Sequence, residues 1–284
     1  MGHKYTQFLM AGFFLCCSMS AFSSSAIGTQ SDLTLVSKVD SLREWEHLPI
    51  TDDFSDRMYL VRHGESTANV YFEVDGKKVR YVSGQSLGIP LTELGKKQIL
   101  RLAQKLVDRF PKEARLVITS SPALRTQQTA KILFKELSKT HANVSLAEEV
   151  YPGLNERSLG QWEGQLKDEN YAKAETPWKA LSAVDKLYSP EVVGGESYVE
   201  VAHRAVSAIA EIHDRYSEST VIAVTSFNTI NTVAIQINHL EAFLSTVPGT
   251  SLPKLDLGNG DLVLLENPKG LSEQVQAKSH IKNE

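Results

Sequence analysis

Tyr59 to Asn69 reads YLVRHGESTAN, an apolar strand running into an Arg62-His63-Gly64 turn that also carries Glu65, Ser66 and Asn69. A histidine side chain ordinarily titrates near pH 6.5, so a good share of His63 is neutral and nucleophilic near pH 7. Arg62 beside it offers a planar cationic fork for an oxyanion, and phosphate is the oxyanion that fits both groups. A second cation lies in Thr119 to Ala130, TSSPALRTQQTA, where a strand gives way to a helix. Ser120 or Ser121 is placed to cap that helix with Pro122 at its first position, and the free N–H groups of such a start bind anions. Arg125 sits one turn in, where its guanidinium can swing back toward the sheet edge.

For these two motifs to meet, they must leave neighbouring strands at the carboxyl edge of one sheet, where α/β folds bind ligands. The pattern supplies such strands. It predicts strand Met58 to Val61, helix Thr92 to Arg109, strand Arg115 to Thr119, helix Ala123 to Lys139 and strand Val144 to Ala147. Helix Ser197 to Tyr216, strand Thr220 to Val224, helix Thr229 to His239 and strand Asp261 to Leu265 follow. Strand alternating with helix is α/β logic, a mostly parallel sheet between helical layers. Thr92 serves as N-cap to the first helix, with Leu94, Ile99, Leu102 and Leu106 as its apolar face. Two excursions interrupt the alternation. Val70 to Pro90 reads as a hairpin turning at Asp75-Gly76, with Lys77, Lys78 and Arg80 on a solvated edge. Residues 152–195, with Trp162 and Trp178, have the length of a lid over the site.

The bulk numbers narrow the classes. A 284-residue chain with 42% hydrophobic and 23% charged residues is ordinary for a globular protein. A formal net charge of -4 argues against general nucleic-acid binding, so a phosphate ligand has to be held by a local pocket. Lys4, the apolar run Phe8 to Phe22 and the small residues Ser23 to Ala26 form the pattern of a cleaved secretory signal, residues 1–26. The run falls short of the about 20 apolar residues that span a bilayer, so no stable membrane anchor is expected after cleavage. Cys16 and Cys17, the chain's two cysteines, go with it, which leaves the exported form without disulfides or thiolate chemistry. Residues 27–57 make a polar lead-in, and residues 58–284 form the domain. No metal-ligand spacing stands out, and no metal or cofactor is implied.

The RHGES turn, SSPALRTQQTA, LNERSLGQWEG (Leu154 to Gly164) and GGES (Gly194 to Ser197) together resemble the histidine phosphatase superfamily, in the branch containing the cofactor-dependent phosphoglycerate mutases. The likeness runs from Met58 to about Asn267, and RHGES differs from the RHG-x-R-x-P signature of the phytase branch. The resemblance implies a phosphoglycerate mutase-like, three-layer α/β/α sandwich with a mostly parallel central sheet. By motif, His63 resembles the nucleophile that becomes phosphohistidine, and Glu156 the acid that protonates the leaving oxygen. Arg62, Asn69 and Arg125 resemble the phosphate clamp. Glu196 and Arg204 are typical of the family in structural roles.

One position departs from the pattern. The family carries a His-Gly pair after the fourth main strand, whereas Ala223 to Ile230 reads AVTSFNTI, which puts Ser226 at the histidine and Phe227 at the glycine. A serine hydroxyl can donate one hydrogen bond to phosphate but carries no charge, and losing a preorganised donor of that kind costs about 10² to 10³ in rate. His141, His203, His213 and His239 read as surface or packing residues. The expected function is a secreted or periplasmic phosphomonoesterase of weak or specialised turnover, acting on a small phosphorylated substrate or a phosphoprotein. The alternative is a degenerate member that binds phosphorylated ligands or a protein partner without hydrolysis. A phosphoglycerate mutase proper fits the LNER wording but not an exported chain.

Overall fold

The computed structural model describes residues 36–38, 58–167, 176–236, 252 and 254–265. The expected leader, most of the lead-in and His239 lie outside the described residues. Nine strands are described: β1 (Val36–Lys38), β2 (Met58–Arg62), β3 (Phe72–Val74), β4 (Lys77–Tyr81), β5 (Leu116–Ser120), β6 (Val144–Leu146), β7 (Leu166–Lys167), β8 (Thr220–Thr225) and β9 (Leu262–Leu265). The described α-helices are α1 (Glu93–Arg109), α2 (Leu124–Leu137), α3 (Ala183–Tyr188), α4 (Tyr198–Arg215) and α5 (Phe227–Asn231).

The main sheet has the order β1-β9-β2-β8-β5-β6. Strands β2, β8, β5 and β6 are parallel to one another, while β9 runs antiparallel to both β2 and β1. The period-two alternation of side chains divides two cores. On one face Met58, Leu60, Val221, Ala223, Val263 and Leu265 pack with Ala205, Ile209 and Ile212 of α4. On the other, Tyr59, Val61, Ile222, Val224, Leu262 and Leu264 pack with Ile99 and Leu106 of α1 and Leu133 and Leu137 of α2. Helices on both faces of a mostly parallel sheet are the expected three-layer α/β/α arrangement. Each fully buried aliphatic side chain here stabilises it by about 1.5–3 kcal/mol.

Local chemistry explains most element ends. Thr92 Oγ1 accepts the Gly95 N–H at 2.9 Å and starts α1, and Ser197 with Glu200 forms a capping box at α4. The inward stripe of α1 is Gly95, Ile99, Leu102, Ala103 and Leu106, and the expected Leu94 is 48% exposed because it falls one position off that spacing. The expected start of α2 is also corrected. Ala123 is its N-cap, Ser121 Oγ pairs with Thr126 Oγ1 at 2.8 Å, and the Leu124 N–H donates to the Leu87 carbonyl, so that end is closed by protein groups. Helix α5 starts at Phe227, two residues before the expected Thr229, and widens into a π turn over Thr232–Gln236.

The predicted hairpin is present. Asp75 and Gly76 take φ values of 49° and 74°, both in the left-handed region that a two-residue type I′ turn requires. Strand β4 then pairs with β7 from the second excursion, making a three-stranded sheet β3-β4-β7. No described helix is long and apolar enough to cross a membrane.

Candidate active site

The site is built at the carboxyl ends of β2, β5 and β8. The Arg62-His63-Gly64-Glu65 turn leaves β2 and is bound from four sides. Gly64 N–H donates to Thr129 Oγ1 of α2 at 3.2 Å, and Glu65 N–H to Gln98 Oε1 of α1 at 2.8 Å. Thr92 N–H donates to the Glu65 carbonyl at 2.9 Å, and Asn259 Nδ2 donates to the His63 carbonyl at 3.0 Å. Glycine is required twice. A Cβ on Gly64 would meet the Gly95 carbonyl oxygen at 2.6 Å, and one on Gly95 would meet the Glu65 carbonyl oxygen at 2.0 Å. The absence of both side chains lets the start of α1 lie directly against the turn.

The His63 ring is oriented by two contacts. Nδ1 lies 2.7 Å from the Gly64 carbonyl, which can only accept, so Nδ1 carries the proton. Nε2, facing the Arg125 Nε–H at 3.3 Å, then presents its lone pair. Burial, followed by the Arg125 charge, pushes the ring's pKa down to about 3, with the Gly64 bond opposing and Arg62 adding to the fall. A neutral imidazole with an unprotonated Nε2, here accepting the Arg125 Nε–H, is the form a nucleophile needs. The ring is only 5% exposed, because Arg125 reaches across it from α2.

The guanidinium of Arg125 is itself anchored. Its Nη1 donates to the Ser86 carbonyl at 2.8 Å and its Nη2 to the Gly84 carbonyl at 3.1 Å, both in the loop after β4. Arg62 donates through Nη1 to the Leu257 carbonyl, its Nε is buried without a partner, and its guanidinium lies 4.8 Å from the centre of the Phe227 ring. Burial depresses both arginine pKa values and the nearby Glu156 charge opposes it, yet a guanidinium stays charged at any working pH.

Glu156 sits on the third side. Its Oε1 accepts the Arg157 N–H at 2.7 Å and its Oε2 the Asn228 N–H at 3.4 Å, so the carboxylate bridges the second excursion and the start of α5. Ser226 follows Thr225, which is in register with Arg62, so Ser226 stands beside His63 at the end of the next strand. Its side chain is fully buried, and its Oγ has no hydrogen-bond partner. Asn69 Oδ1 accepts both the N–H and the Oγ–H of Ser66 at 2.9 Å, which ties it to the turn and leaves its Nδ2 to donate elsewhere. The expected residues His63, Arg62, Arg125, Glu156 and Ser226 thus meet at one edge, with Asn69 on the turn that follows His63.

The family model of the histidine phosphatase superfamily, branch 1, matches residues 58–267, the whole of this framework. The chain belongs to the histidine phosphatase superfamily. The chain is 26% identical over 249 residues to the metal-independent phosphoserine phosphatase of Arabidopsis thaliana, covering 86% of this chain and 91% of that protein. Among solved structures, a mycobacterial glucosyl-3-phosphoglycerate phosphatase bound to VO3 superposes with a TM-score of 0.51 at 22% identity, over 73% of this chain and 90% of the other. A phosphoserine phosphatase of Entamoeba histolytica in complex with 3-phosphoglyceric acid gives 0.50 at 23%, over 73% and 89%. At those identities the two structures establish a shared fold.

Several groups that hold the site were not legible in the sequence. The segment 257–261 clamps the His63 turn: Leu257 binds Arg62, Asn259 binds the His63 carbonyl, and the Arg62 N–H donates to the Asp261 carbonyl at 2.8 Å. Only the polarity of Asn259 and Asp261 in the loop before β9 could have hinted at it. Arg204 of α4 grips the Glu156 loop, donating to the carbonyls of Gly153, Asn155 and Glu156 at 2.7, 2.8 and 2.9 Å, with Glu196 at 2.7 Å as its counter-ion. Those are structural duties, as expected for the pair. His141 is buried between Thr140 and the Phe110 carbonyl, away from the site, and His203 is exposed on α4. Among the described residues no group of three or more His, Cys, Asp or Glu is placed to hold a metal.

Proposed function

We propose that this chain is a phosphomonoesterase that works through a phosphohistidine on His63. The observation that carries the proposal is the ring itself: neutral, with its proton on Nδ1 and its Nε2 lone pair beside a guanidinium. In the first step Nε2 attacks phosphorus, the phosphorus–oxygen bond to the leaving group breaks, and protonated Glu156 gives its proton to the departing alkoxide. In the second, water gives a proton to Glu156 and its oxygen displaces Nε2, releasing phosphate and the free ring. Arg62 and Arg125 neutralise the equatorial oxygens, and the phosphate draws their donors away from the Leu257, Ser86 and Gly84 carbonyls. The Nδ2 of Asn69 joins this clamp.

Ser226 takes the place of the partner imidazole in this reading. Its unpartnered hydroxyl supplies one neutral donor to a phosphoryl oxygen, and a weak turnover follows from the missing charge. Phosphoserine phosphatase relatives support a small phosphorylated substrate. The apolar run of residues 8–22 supports export of the enzyme, tested by N-terminal sequencing of the protein recovered from the medium or periplasm.

The second reading, binding without turnover, draws on the occupied state of both guanidinium groups and on Phe227 lying over Arg62. Hydrolysis of p-nitrophenyl phosphate separates the two. The proposal expects slow turnover that His63→Ala abolishes and Ser226→His raises, and equal background rates in all three would leave the binding reading alone.

A further inference from the structure

Arg125 faces His63 with its guanidinium tethered, and both tethers lie in one turn. The Ser86 N–H donates to the Ser83 carbonyl at 2.9 Å, which closes a turn with Gly84, at φ 41°, and Gln85 as its central residues. The residues on either side of Gln85 supply the carbonyls that hold the arginine: Gly84 accepts Nη2 and Ser86 accepts Nη1. When those donors pass to a phosphoryl group, the turn loses two charge-assisted bonds at once. Another contact has to hold it.

The side chain of Gln85 is placed to do so. It is half-buried, and its Nε2 donates to Glu196 Oε2 at 3.0 Å. A carboxylate oxygen only accepts, so the nitrogen of the amide is the atom that faces it. The same oxygen accepts the Ser158 N–H at 2.8 Å and Arg204 Nη2 at 2.9 Å, while Oε1 accepts Arg204 Nε at 2.7 Å. Burial opposes the Glu196 charge, but the Arg204 bonds, the Ser158 N–H and Gln85 outweigh it and hold the carboxyl below its ordinary range. Arg204 in turn grips the carbonyls of the Glu156 loop. A continuous path of hydrogen bonds therefore leads from the guanidinium over His63, through the turn and Glu196, to the backbone of Glu156. Shape closes the turn as well. A side chain on Gly84 would run into the Glu163 carboxylate, which is itself fixed by the Leu159 N–H at 2.8 Å.

We propose that Gln85 is a positioning residue of this site: it ties the turn that tethers Arg125 to Glu196, so that the turn keeps its place against the Glu156 loop while phosphate replaces the two carbonyls. The inference rests on the phosphatase reading for the release of Arg125, while the Gln85 contact stands on its own geometry. A neutral amide suits the place, because it donates to Glu196 without displacing the charge of Arg204.

Gln85→Met and Gln85→Glu, compared with the unaltered full chain, test this. Methionine keeps the length of the side chain and removes the donor. The kcat for p-nitrophenyl phosphate is expected to fall about tenfold, as loss of a hydrogen bond to a charged group does, with KM changed by less than about twofold. A role in folding alone would lower Tm and leave kcat, measured well below Tm with saturating substrate, where it was. Glutamate sets two carboxylates within hydrogen-bond reach, and such a pair shares one proton with one pKa raised. Relative to the unaltered chain, Gln85→Glu is expected to match Gln85→Met at about pH 8 and to recover most of the lost kcat at about pH 5.5, where the shared proton restores the bond. Unchanged kcat in Gln85→Met overturns the assignment, whatever happens to Tm. A Gln85→Glu loss of the same size at both pH values overturns the link to Glu196. Should the unaltered chain hydrolyse nothing, the phosphatase reading fails by itself, and orthovanadate, an analogue of five-coordinate phosphorus, decides by thermal shift. Binding about tenfold weaker in Gln85→Met then keeps the positioning role, and equal binding removes it.

Discussion

Arg125 Nε lies 3.3 Å from His63 Nε2 while the same guanidinium donates to the carbonyls of Ser86 and Gly84, so one side chain both faces the imidazole and closes the site over it. A buried cation beside a buried imidazole keeps that imidazole neutral, and the loop carbonyls hold the cation until a stronger anion arrives. Lysine cannot reproduce this fork. Arg125→Lys is expected to lower kcat/KM for p-nitrophenyl phosphate by about 10² to 10³, with most of the loss in kcat. A loss confined to KM would mean that Arg125 only binds substrate.

The pH dependence of stability follows from the same pair. The unfolded His63 ring titrates near 6.5 and the folded ring at about 3, so the unfolded chain binds the extra proton between those values. The ring's contribution is intact above about pH 6.5 and is lost as pH falls toward 3. His63→Gln, which cannot take that proton, is expected to flatten the rise of Tm between pH 4 and 6.5. Parallel wild-type and variant curves would contradict the depressed pKa.

The close approach of α1 to the His63 turn gives a steric prediction. Gly95→Ala would set a Cβ 2.0 Å from the Glu65 carbonyl oxygen, a contact that only a backbone shift relieves. A cost of about 1–3 kcal/mol is expected from such overpacking, seen as a lower urea midpoint, together with a fall in kcat as the turn moves. Unchanged kcat in a destabilised variant would show that the turn does not depend on α1 for its position.

Arg204 gives a prediction about positioning. It binds three loop carbonyls and Glu196 but stands behind Glu156. Arg204→Ala is expected to lower stability by about 3 kcal/mol, since it strands several part-buried acceptors, and to lower kcat more than it raises KM. Arg204→Lys should recover part of the stability and little of kcat.

How much of this was legible beforehand depends on the range of the interaction. The β2 strand, the Thr92 cap and the Asp75-Gly76 turn are local, set by residues within four positions, and each is where the sequence puts it. The convergence of His63, Arg125 and Ser226 was readable because parallel strands deliver their carboxyl ends to one edge. Burial of His63 was not, because it depends on Arg125 reaching 62 positions back and on carbonyls of an irregular loop. The Asn259 clamp lies 196 positions from His63, and a side chain donating to a backbone carbonyl has no compositional signature. Leu94 and the α2 cap were misassigned for a related reason: propensity named plausible residues, and tertiary neighbours chose others.

The central claim is that phosphate is carried covalently on His63. The most direct measurement mixes the full chain with a 32P-labelled phosphoester, stops the reaction in alkali within one turnover, and maps the label. A label that survives alkali, is released by mild acid, resides on the peptide containing His63 and is missing from His63→Ala is the predicted result. Continued hydrolysis with no label trapped at any quench time, or the same label in His63→Ala, would contradict it.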